Sequence, residues 1–532
     1  MNFFSSWSGR MGIFVFSAAT ILIIIRVLAE YIPRLFIFLK SVFCSVIEAV
    51  ANNQDVKKFI SKHWIFFRFI RRRLDRDRFS GLPLTLLSLP FLYIVFLFLG
   101  VIEGVIKSDA IIMADARAAN LLLAFRTAEL VQIFTWITLL AKSSIIAGAI
   151  VVFSAVLLLV KKRIYILPFW ATVAGTGLSV FLGKLITHRP RPDVALYLED
   201  SFSFPSGHAA MAVAFYGFLT YVLFRQIKKW RYKINALFFS AAIILAIGFS
   251  RLYLGVHFLS DVWGGYLLGA LWLIIGIAVS ELLTHNKPVP GSALPRKTKA
   301  AVLILILAWI VFYAGFAAVY RPPFASQKAP AAATVNNALD IFNDKNISRF
   351  TETITGEKQE PLSFIIVADD DGAFIGDMRK AGWRLADPPS LVSVARMAKA
   401  AVLNGEYYSA PMTPSFWDAQ AHDFGFEKPT ENQTVRARHH ARFWRARFQT
   451  ASGKRIYVGT ASQDVGIKWL ITHTIKPDID TERDFLFFDL ENAGTVQGFT
   501  KEKFVEPTLG KNFFGDQFFT DGEAYVAVLE SV

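Results

Sequence analysis

Long apolar segments dominate the chain up to residue 320. Seven runs have spanning or near-spanning length: Leu84–Ile106, Ile145–Val160 (extended upstream through Leu139), Ile164–Ile186, Ala209–Phe224, Ala236–Phe249, Val262–Leu283 and Ala300–Tyr320. Crossing the hydrocarbon core of a bilayer takes about 20 helical residues. The helices of the shorter runs must therefore extend into flanking residues or tilt. The pattern predicts an α-helical integral membrane protein with a six-helix core, followed by an extra transmembrane helix.

A further apolar region lies at the start of the chain. It runs near Ile13–Leu28 and continues into Leu35–Val50, with charged residues between and within the two parts. This pattern leaves open a single span, a hairpin or an interfacial helix. Because no small-x-small cleavage site follows Met11–Ile25, we predict an uncleaved membrane anchor.

The pattern changes after Tyr320. An Arg-Pro-Pro sequence and an Ala/Pro-rich stretch to Ala333 predict a linker. Beyond it, Leu362–Ala368, Thr434–Thr450 and Arg455–Thr460 have the composition of strands. The C-terminal part is therefore predicted to be a soluble α/β or β-rich domain.

These patterns predict four segments. Residues 1–80 form an N-terminal membrane-anchoring helical segment with a basic cytoplasmic loop, and residues 81–285 form the six-helix core. Residues 286–322 provide a linker and the seventh transmembrane helix, and residues 323–532 form the soluble domain.

Composition and charge agree with a membrane protein. Hydrophobic residues make up 54% of the 532 residues, and they come in long runs rather than in alternation. The net charge of +15 is not accompanied by any nucleic-acid-binding motif, so we expect it to orient membrane loops. The single cysteine, Cys44, excludes an intramolecular disulfide and a cysteine-based zinc cluster.

The basic residues indicate which side of the membrane each loop occupies. They cluster in loops that fall on one side if the helices alternate: Lys57, Lys58, Lys62, Arg68, Arg71, Arg72, Arg73, Arg76 and Arg78; Lys161, Lys162 and Arg163; Arg225, Lys228, Lys229, Arg231 and Lys233; Lys287, Arg296, Lys297 and Lys299. The positive-inside rule makes that side cytoplasmic. The loop Thr187–His208, the turn Arg251–His257 and the C-terminal domain are then predicted to face the periplasm of a bacterial inner membrane. The stretch Lys57–Arg78 also fits a patch for anionic lipids, although an ordinary cytoplasmic loop is the simpler interpretation.

Three short motifs near helix ends carry the chemistry. They read Lys184-x6-Arg191-Pro192, Pro205-Ser206-Gly207-His208 and Ser250-Arg251-x5-His257-x3-Asp261. Arginine offers bidentate donors to phosphate oxygens, lysine offers a compact charge, and a Ser-Gly pair at a helix start adds hydroxyl and backbone donors. Charged residues at the ends of membrane helices are costly, so function is the default interpretation. The motifs predict a site for a phosphoryl group.

Two histidines and an acid are suited to covalent transfer of that group. The spacing of His257 and Asp261 places them on one face of a helix, if this stretch is helical. The carboxylate would then hold one imidazole nitrogen protonated and leave the other free to attack. His208 would protonate the leaving oxygen and afterwards activate water.

The three motifs resemble the type 2 phosphatidic acid phosphatase superfamily at each of its defining positions, over roughly Leu84–Leu283. The resemblance implies that His257 is the nucleophile, His208 the acid and Asp261 the residue that orients the nucleophile. It implies phosphate binding by five residues: Lys184, Arg191, Ser206, Gly207 and Arg251. It also implies that no metal or other cofactor takes part.

The C-terminal part resembles the LssY C-terminal domain. The resemblance rests on the stretch from Arg436 to Trp444 and on the stretch from His473 to Asp484, and it brings no established chemistry. Several residues there have the character of metal ligands: His439, His440, His473, Asp464, Asp478, Asp480 and Glu482. Paired charges and strand-end hydrogen bonds explain them as readily, and no metal site is predicted.

The leading hypothesis is an integral-membrane phosphatase that hydrolyses a lipid phosphate or pyrophosphate at the outer interface through a phosphohistidine. The same intermediate would also serve transfer to another lipid or sugar. A vanadate-dependent haloperoxidase and a non-catalytic transport or scaffolding protein are the less favoured alternatives. Candidate substrates are undecaprenyl pyrophosphate, phosphatidate-type lipids and lipid A phosphates.

Overall fold

The computed structural model describes residues 37–39, 41–42, 45, 48, 50, 52–107, 110–284, 294–323, 332–344, 346–388, 390, 392–393, 396–397, 399–400, 405–430, 437–468, 472–512 and 515–530. The predicted anchor at Met11–Ile25, the run Ile13–Leu28, Cys44 and most of the Ala/Pro-rich linker lie outside these residues. The backbone divides into two compact units. The first comprises the chain up to Lys107 and Thr127–Ala325, and the second comprises Ser108–Arg126 and the chain from Ser326 onward.

The helices described over their whole length are α1 (Gln54–Lys62), α2 (Trp64–Arg73), α3 (Leu82–Lys107), α4 (Ala110–Ala124), α5 (Ala128–Leu139), α6 (Ser143–Leu159), α7 (Ile166–Thr187), α8 (Gly207–Gln226), α9 (Trp230–Tyr253), α10 (Leu259–Thr284), α11 (Arg296–Val319), α12 (Asp371–Lys380) and α13 (Ile479–Asn492). All belong to the first unit except α4, α12 and α13. A short 3-10 turn, Arg163–Tyr165, leads into α7, and another covers Ala338–Asn343.

Among the described residues, six helices are long and apolar enough to cross a membrane: α3, α7 with its leading turn, α8, α9, α10 and α11. The pair α5 and α6 forms a seventh span if it is counted as one, with a bend of 43° between its parts. Helix α6 begins after Lys142, whose ψ of 137° is extended rather than helical, and this interrupts the run predicted to extend from Leu139. The predicted membrane fold class is confirmed.

Helix α10 packs closely on α8 in the middle of the first unit. A Cβ on Gly265 would lie 2.5 Å from the carbonyl oxygen of Ser206 and 3.0 Å from the Cβ of Ala209. Only glycine allows this approach, because the neighbouring atoms are backbone and the first carbon of a side chain. The contact fixes the start of α8, where Ser206 lies, against the helix that carries Asp261.

The second unit is built on strands β1 (Ala333–Val335), β2 (Phe350–Glu352), β3 (Lys358–Pro361), β4 (Phe364–Ala368), β5 (Arg384–Leu385), β6 (Phe416–Trp417), β7 (Gln420–Ala421), β8 (Phe424–Pro429), β9 (Arg438–Thr450), β10 (Arg455–Lys468), β11 (Thr472–Ile475), β12 (Val496–Lys503), β13 (Thr508–Lys511), β14 (Gln517–Thr520) and β15 (Glu523–Leu529). The large sheet has the order β12-β15-β4-β10-β9-β8-β5, with β1 beside β9 and β11 beside β10. A four-stranded sheet has the order β3-β2-β6-β7, and β13 pairs with β14.

The predicted β-rich C-terminal domain is confirmed. Strand β4 lies inside the large sheet between β15 and β10, and all five of its residues are buried. A strand covered on both faces is expected to be continuously apolar, as the sequence Phe-Ile-Ile-Val-Ala is. Strand β10 extends to Lys468, eight residues beyond the predicted end at Thr460.

Helix α4 joins the second unit although it lies between α3 and α5 in sequence. The guanidinium of Arg117, which is 6% exposed, bonds to the carboxylate of Glu352 on β2, with 3.2 Å from Nε to Oε2. The side-chain amide of Asn120 donates to the carbonyl of Ala419 at 2.7 Å. The second unit therefore draws on two distant parts of the chain.

Candidate functional site

All three motifs meet at one end of the first unit. Lys184 lies in the last turn of α7, Ser206 caps the start of α8, and Arg251 lies in the last turn of α9. Arg191 comes from the loop between α7 and α8, and His257 from the short turn before α10. Each charged group is thus held at a helix end or in a connecting loop.

His257 and Asp261 contact each other, although His257 precedes α10 rather than lying on it. Nδ1 of His257 lies 3.4 Å from Oδ2 of Asp261, and the same oxygen accepts the backbone N–H of Phe258 at 2.8 Å. The condition attached to the predicted spacing, that His257 lies on the same helix as Asp261, is therefore not met. The contact forms because Asp261, in the first turn of α10, reaches back over the unpaired amides at the helix start.

Arg191 fixes the protonation pattern of His257. Its Nη1 donates to Nε2 of His257 at 3.2 Å and to the carbonyl of Val256 at 2.6 Å. Because a guanidinium can only donate, Nε2 must accept, and the ring proton is on Nδ1, facing Asp261. This tautomer leaves the lone pair of Nε2 directed toward the phosphate-binding cations.

The environment of His257 favours the neutral imidazole. Burial lowers the pKa of His257 well below its usual value, and the charges of Arg251 and Arg191 lower it further. A neutral imidazole is the nucleophilic form.

Asp261 has a second partner that the sequence did not suggest. Nη1 of Arg189 donates to Oδ1 of Asp261 and to the hydroxyl of Ser260, both at 2.7 Å. Arg189 is 7% exposed and Asp261 is fully buried, so this is an ion pair removed from water. Arg189 holds the carboxylate that in turn contacts His257.

A carboxylate also bridges the two arginines predicted to bind phosphate. Oε2 of Glu199 lies 2.8 Å from Nη2 of Arg191, and its other oxygen forms a short ion pair with Nη2 of Arg251. Burial alone would raise the pKa of Glu199, but the charges of Arg251 and Arg191 lower it below its usual range. Glu199 therefore lies as an anion where the predicted site would receive another anion.

Arg251 is anchored on its other side. Its Nη1 donates to the hydroxyls of Tyr197 at 2.5 Å and Thr138 at 2.9 Å, and the side chain has no exposed surface. Lys184 is placed close to Arg191 through a shared serine, because its Nζ donates to Oγ of Ser201 at 2.8 Å and Nη2 of Arg191 donates to the same oxygen at 3.1 Å.

Ser206 and Gly207 provide neutral donors. The Ser206 hydroxyl is fully buried and has no hydrogen-bond partner among the described residues. Its backbone N–H donates to the carbonyl of Asp261 at 2.9 Å, which fixes the residue in place. Gly207 is the first residue of α8, where backbone amides lack helical acceptors and the helix dipole favours an anion.

His208 lines a small cavity of about 30 Å³ together with Glu199, Arg251, Tyr197 and Lys142. About 10–15 Å³ of such space is enough for one water molecule. His208 therefore lies beside Arg251, with room for water next to it. Lys142, which the motifs do not include, donates to the hydroxyl of Tyr320 at 3.1 Å.

The residues of the second unit that have the character of metal ligands do not form one cluster. In the described ranges, no group of three or more His, Cys, Asp or Glu side chains could hold a metal ion. His439 contacts Glu482 at 2.8 Å, and His440 contacts Asp464 at 3.2 Å. Asp478 caps α13 and Asp480 binds Arg483, while the side chain of His473 lies outside the described residues.

Comparisons with known proteins identify two families to which parts of the chain are similar. Residues 164–284 match the model of the PAP2 superfamily, and residues 344–524 match the model called LssY C-terminus. The predicted resemblances to both families are confirmed.

Two curated relatives are similar to the membrane part. Phosphatidylglycerophosphatase B of Bacillus subtilis is 33% identical over 186 residues, which cover 33% of this chain and 88% of the relative. Lipid A 4'-phosphatase of Bacteroides thetaiotaomicron is 29% identical over 164 residues, which cover 28% of this chain and 68% of the relative. A crystal structure of a PAP2-type phosphatidylglycerolphosphate phosphatase from Bacillus subtilis aligns with a TM-score of 0.35 and 28% identity, over 38% of this chain and 98% of that one.

The relative with 33% identity is covered over most of its length, and the family match includes every motif residue from Lys184 to Asp261. The chain is a multi-helix membrane protein that belongs to the PAP2 superfamily and carries an LssY C-terminus domain.

Proposed function

We propose that the protein is a membrane phosphatase that hydrolyses a lipid phosphate or pyrophosphate through a phosphohistidine on His257. The observation that carries this proposal is the arrangement around the ring. Nδ1 faces Asp261 at 3.4 Å, while Nε2 accepts from Arg191 at 3.2 Å. The ring proton lies on the side of Asp261. When a phosphoryl oxygen accepts the N–H of Arg191 in place of Nε2, the Nε2 lone pair becomes free for in-line attack on phosphorus.

In the first step, Nε2 of His257 forms a bond to phosphorus as the bond from phosphorus to the lipid oxygen breaks. His208 gives its proton to that leaving oxygen. Arg191, Arg251 and Lys184, with the hydroxyl of Ser206 and the amide of Gly207, stabilise the charge on the phosphoryl oxygens. Asp261 stabilises the positive charge that develops on the imidazole.

In the second step, the now neutral His208 takes a proton from water. The resulting hydroxide attacks phosphorus, the phosphorus–nitrogen bond breaks, and inorganic phosphate leaves with His257 restored. The small cavity beside His208 supports this step, because it has room for water. Neither step, as written, uses a metal ion.

Topology and relatives support a lipid substrate facing the periplasm. The site lies at the ends of apolar helices, where a lipid can keep its chains in the bilayer while its headgroup binds. Both curated relatives are named for lipid phosphates. If successive spans cross the membrane in opposite directions, the loop 108–126 and the site lie on the same side of the membrane. Helix α4 in that loop belongs to the same compact unit as the C-terminal domain. The basic loops lie on the opposite side, which the positive-inside rule makes cytoplasmic.

The proposal is tested by phosphate release from a panel of lipid phosphates in detergent. We expect His257→Ala to abolish release while the protein still elutes and melts as the wild type does. Undiminished release from that variant would refute the nucleophile assignment. We also expect release to persist after treatment with a chelator, and loss of activity there would indicate a metal-dependent mechanism.

A further inference from the structure

One face of the large sheet in the second unit carries charged side chains where a domain core is usually apolar. Arg438, His440 and Arg442 occupy alternate positions of β9 and so project from the same face. Glu427 on β8 lies opposite His440, and Asp464 on β10 lies opposite Arg438. Except for Arg442, which is partly buried, these side chains are at most 5% exposed. Burying several ionisable groups costs several kcal/mol for each one unless partners compensate.

A cavity of about 300 Å³ opens on this face, between the large sheet and the four-stranded sheet. This volume is at the lower end of the range for small-molecule sites. Its polar lining includes side chains from both sheets: His440, Arg442 and Asp464 from the large sheet, Glu360 from β3, and Ser415 just before β6.

Two side chains that line this cavity, Arg438 and His440, already contact charged partners. Arg438 forms a short ion pair with Glu427, and its Nε lies 3.2 Å from Oδ2 of Asp464. Nδ1 of His440 lies 3.2 Å from Oδ1 of Asp464 without the geometry of a hydrogen bond, and Nε2 is 3.0 Å from Nη1 of Arg442. These residues form a connected network that holds the face together and places Arg442.

Arg442 and Glu360 are the exceptions. The Nε of Arg442 is buried without a hydrogen-bond partner in the described part of the unit. The opposite charges of Arg442 and Glu360 attract each other across the cavity, but no ion pair within 4.0 Å joins them. Glu360 accepts one hydrogen bond, from the hydroxyl of Ser462 at 3.2 Å. A cation and an anion both line the cavity, and each retains capacity for a ligand.

We propose that this cavity binds a small hydroxylated anion, such as a polyol phosphate or a sugar acid. The guanidinium of Arg442 takes the anionic group, and the carboxylate of Glu360 accepts hydrogen bonds from hydroxyl groups. The ligand can be a free compound or the headgroup of a lipid, because both present the same chemistry. This site is separate from the proposed catalytic site and does not depend on the function proposed for it.

Hydrogen–deuterium exchange on the full-length protein in detergent tests the proposal, because exchange localises binding and so separates this cavity from the phosphate site in the first unit. The probes are sn-glycerol 3-phosphate and glucuronate at millimolar concentration. We expect slower exchange in peptides covering β3 and β9 with at least one probe. Arg442→Gln should weaken the apparent affinity by about tenfold to hundredfold, the range for one lost charge-assisted hydrogen bond.

Arg447→Gln is the matched control, since it removes the same charge from an exposed position of the same strand, and it should bind as the wild type does. Protection by detergent-dispersed phosphatidylglycerol but by neither soluble probe would support the proposal with a lipid headgroup as the ligand. No protection of the wild type by any of the three compounds would overturn it. Equal protection of Arg442→Gln would overturn it as well. Because the wild-type result alone is decisive, the test holds even if Arg442→Gln fails to fold.

Discussion

Replacing Arg189 tests whether the catalytic carboxylate depends on a residue that does not touch the substrate. Arg189 contributes two hydrogen bonds at 2.7 Å, to Asp261 and to Ser260, and is 7% exposed. In Arg189→Met, Asp261 loses its charged partner in a fully buried position. A hydrogen bond to a charged group contributes about 1.5–3 kcal/mol. If that energy holds Asp261 against His257, kcat falls by about tenfold to about 150-fold.

The kinetic pattern separates positioning from substrate binding. We expect kcat to fall while KM changes by less than about twofold, because Arg189 contacts Asp261 rather than the phosphate site. Arg189→Lys should recover part of kcat, since lysine keeps the charge without the planar donor geometry. Phosphate release and thermal unfolding are measured on each variant, with the exposed Arg321→Met as control. A folded Arg189→Met with unchanged kcat would refute the reasoning, and a raised KM with unchanged kcat would indicate direct substrate binding.

Three further predictions follow from particular contacts. Ser206→Ala should lower kcat/KM by about tenfold without lowering the melting temperature, because its buried hydroxyl has no partner among the described residues; lower stability with unchanged kinetics would contradict the assignment. Glu199→Gln should strengthen inhibition by inorganic phosphate by about tenfold, since the bridging carboxylate no longer competes for Arg191 and Arg251; an unchanged inhibition constant would show that Glu199 does not compete. Burial lowers the pKa of His440 from 6.5 to about 4, so the unfolded chain binds more protons below pH 6.5 and the group opposes folding as the pH falls. This effect amounts to about 3 kcal/mol between neutral pH and about pH 4. In urea unfolding, the free energy of unfolding of His440→Asn should therefore fall less than that of the wild type over that pH range. An equal fall in the two proteins would exclude the effect.

The membrane helices and the central strands are predictable because their signals are local. The run Ala300–Tyr320 is apolar over a full bilayer length and forms α11. The run Leu362–Ala368 has no polar alternation and becomes the central strand β4, covered on both faces. The motif residues from Lys184 to Asp261 were also identifiable, because their types and spacing match a known pattern of phosphate-binding groups.

Long-range partners are not predictable in this way. Nothing in the sequence near α4 indicates that Arg117 pairs with Glu352, which lies 235 residues later. Arg189 lies only two residues before Arg191, yet it faces Asp261 rather than the phosphate site, and that difference depends on the path of the loop. Glu199 belongs to none of the three motifs, and it is found only because the folded loop places it between two arginines. A charged residue in a loop between two motifs is the one signal that would have suggested it.

We predict that the phosphoryl group becomes bonded to His257 during turnover. The most direct measurement is rapid mixing with a lipid phosphate carrying radioactive phosphorus, followed by an alkaline quench, digestion and mass spectrometry of the labelled peptide. We expect an alkali-stable, acid-labile label on the peptide containing His257, and none in His257→Ala. Steady turnover without a labelled protein, or a label on another residue, would contradict the account.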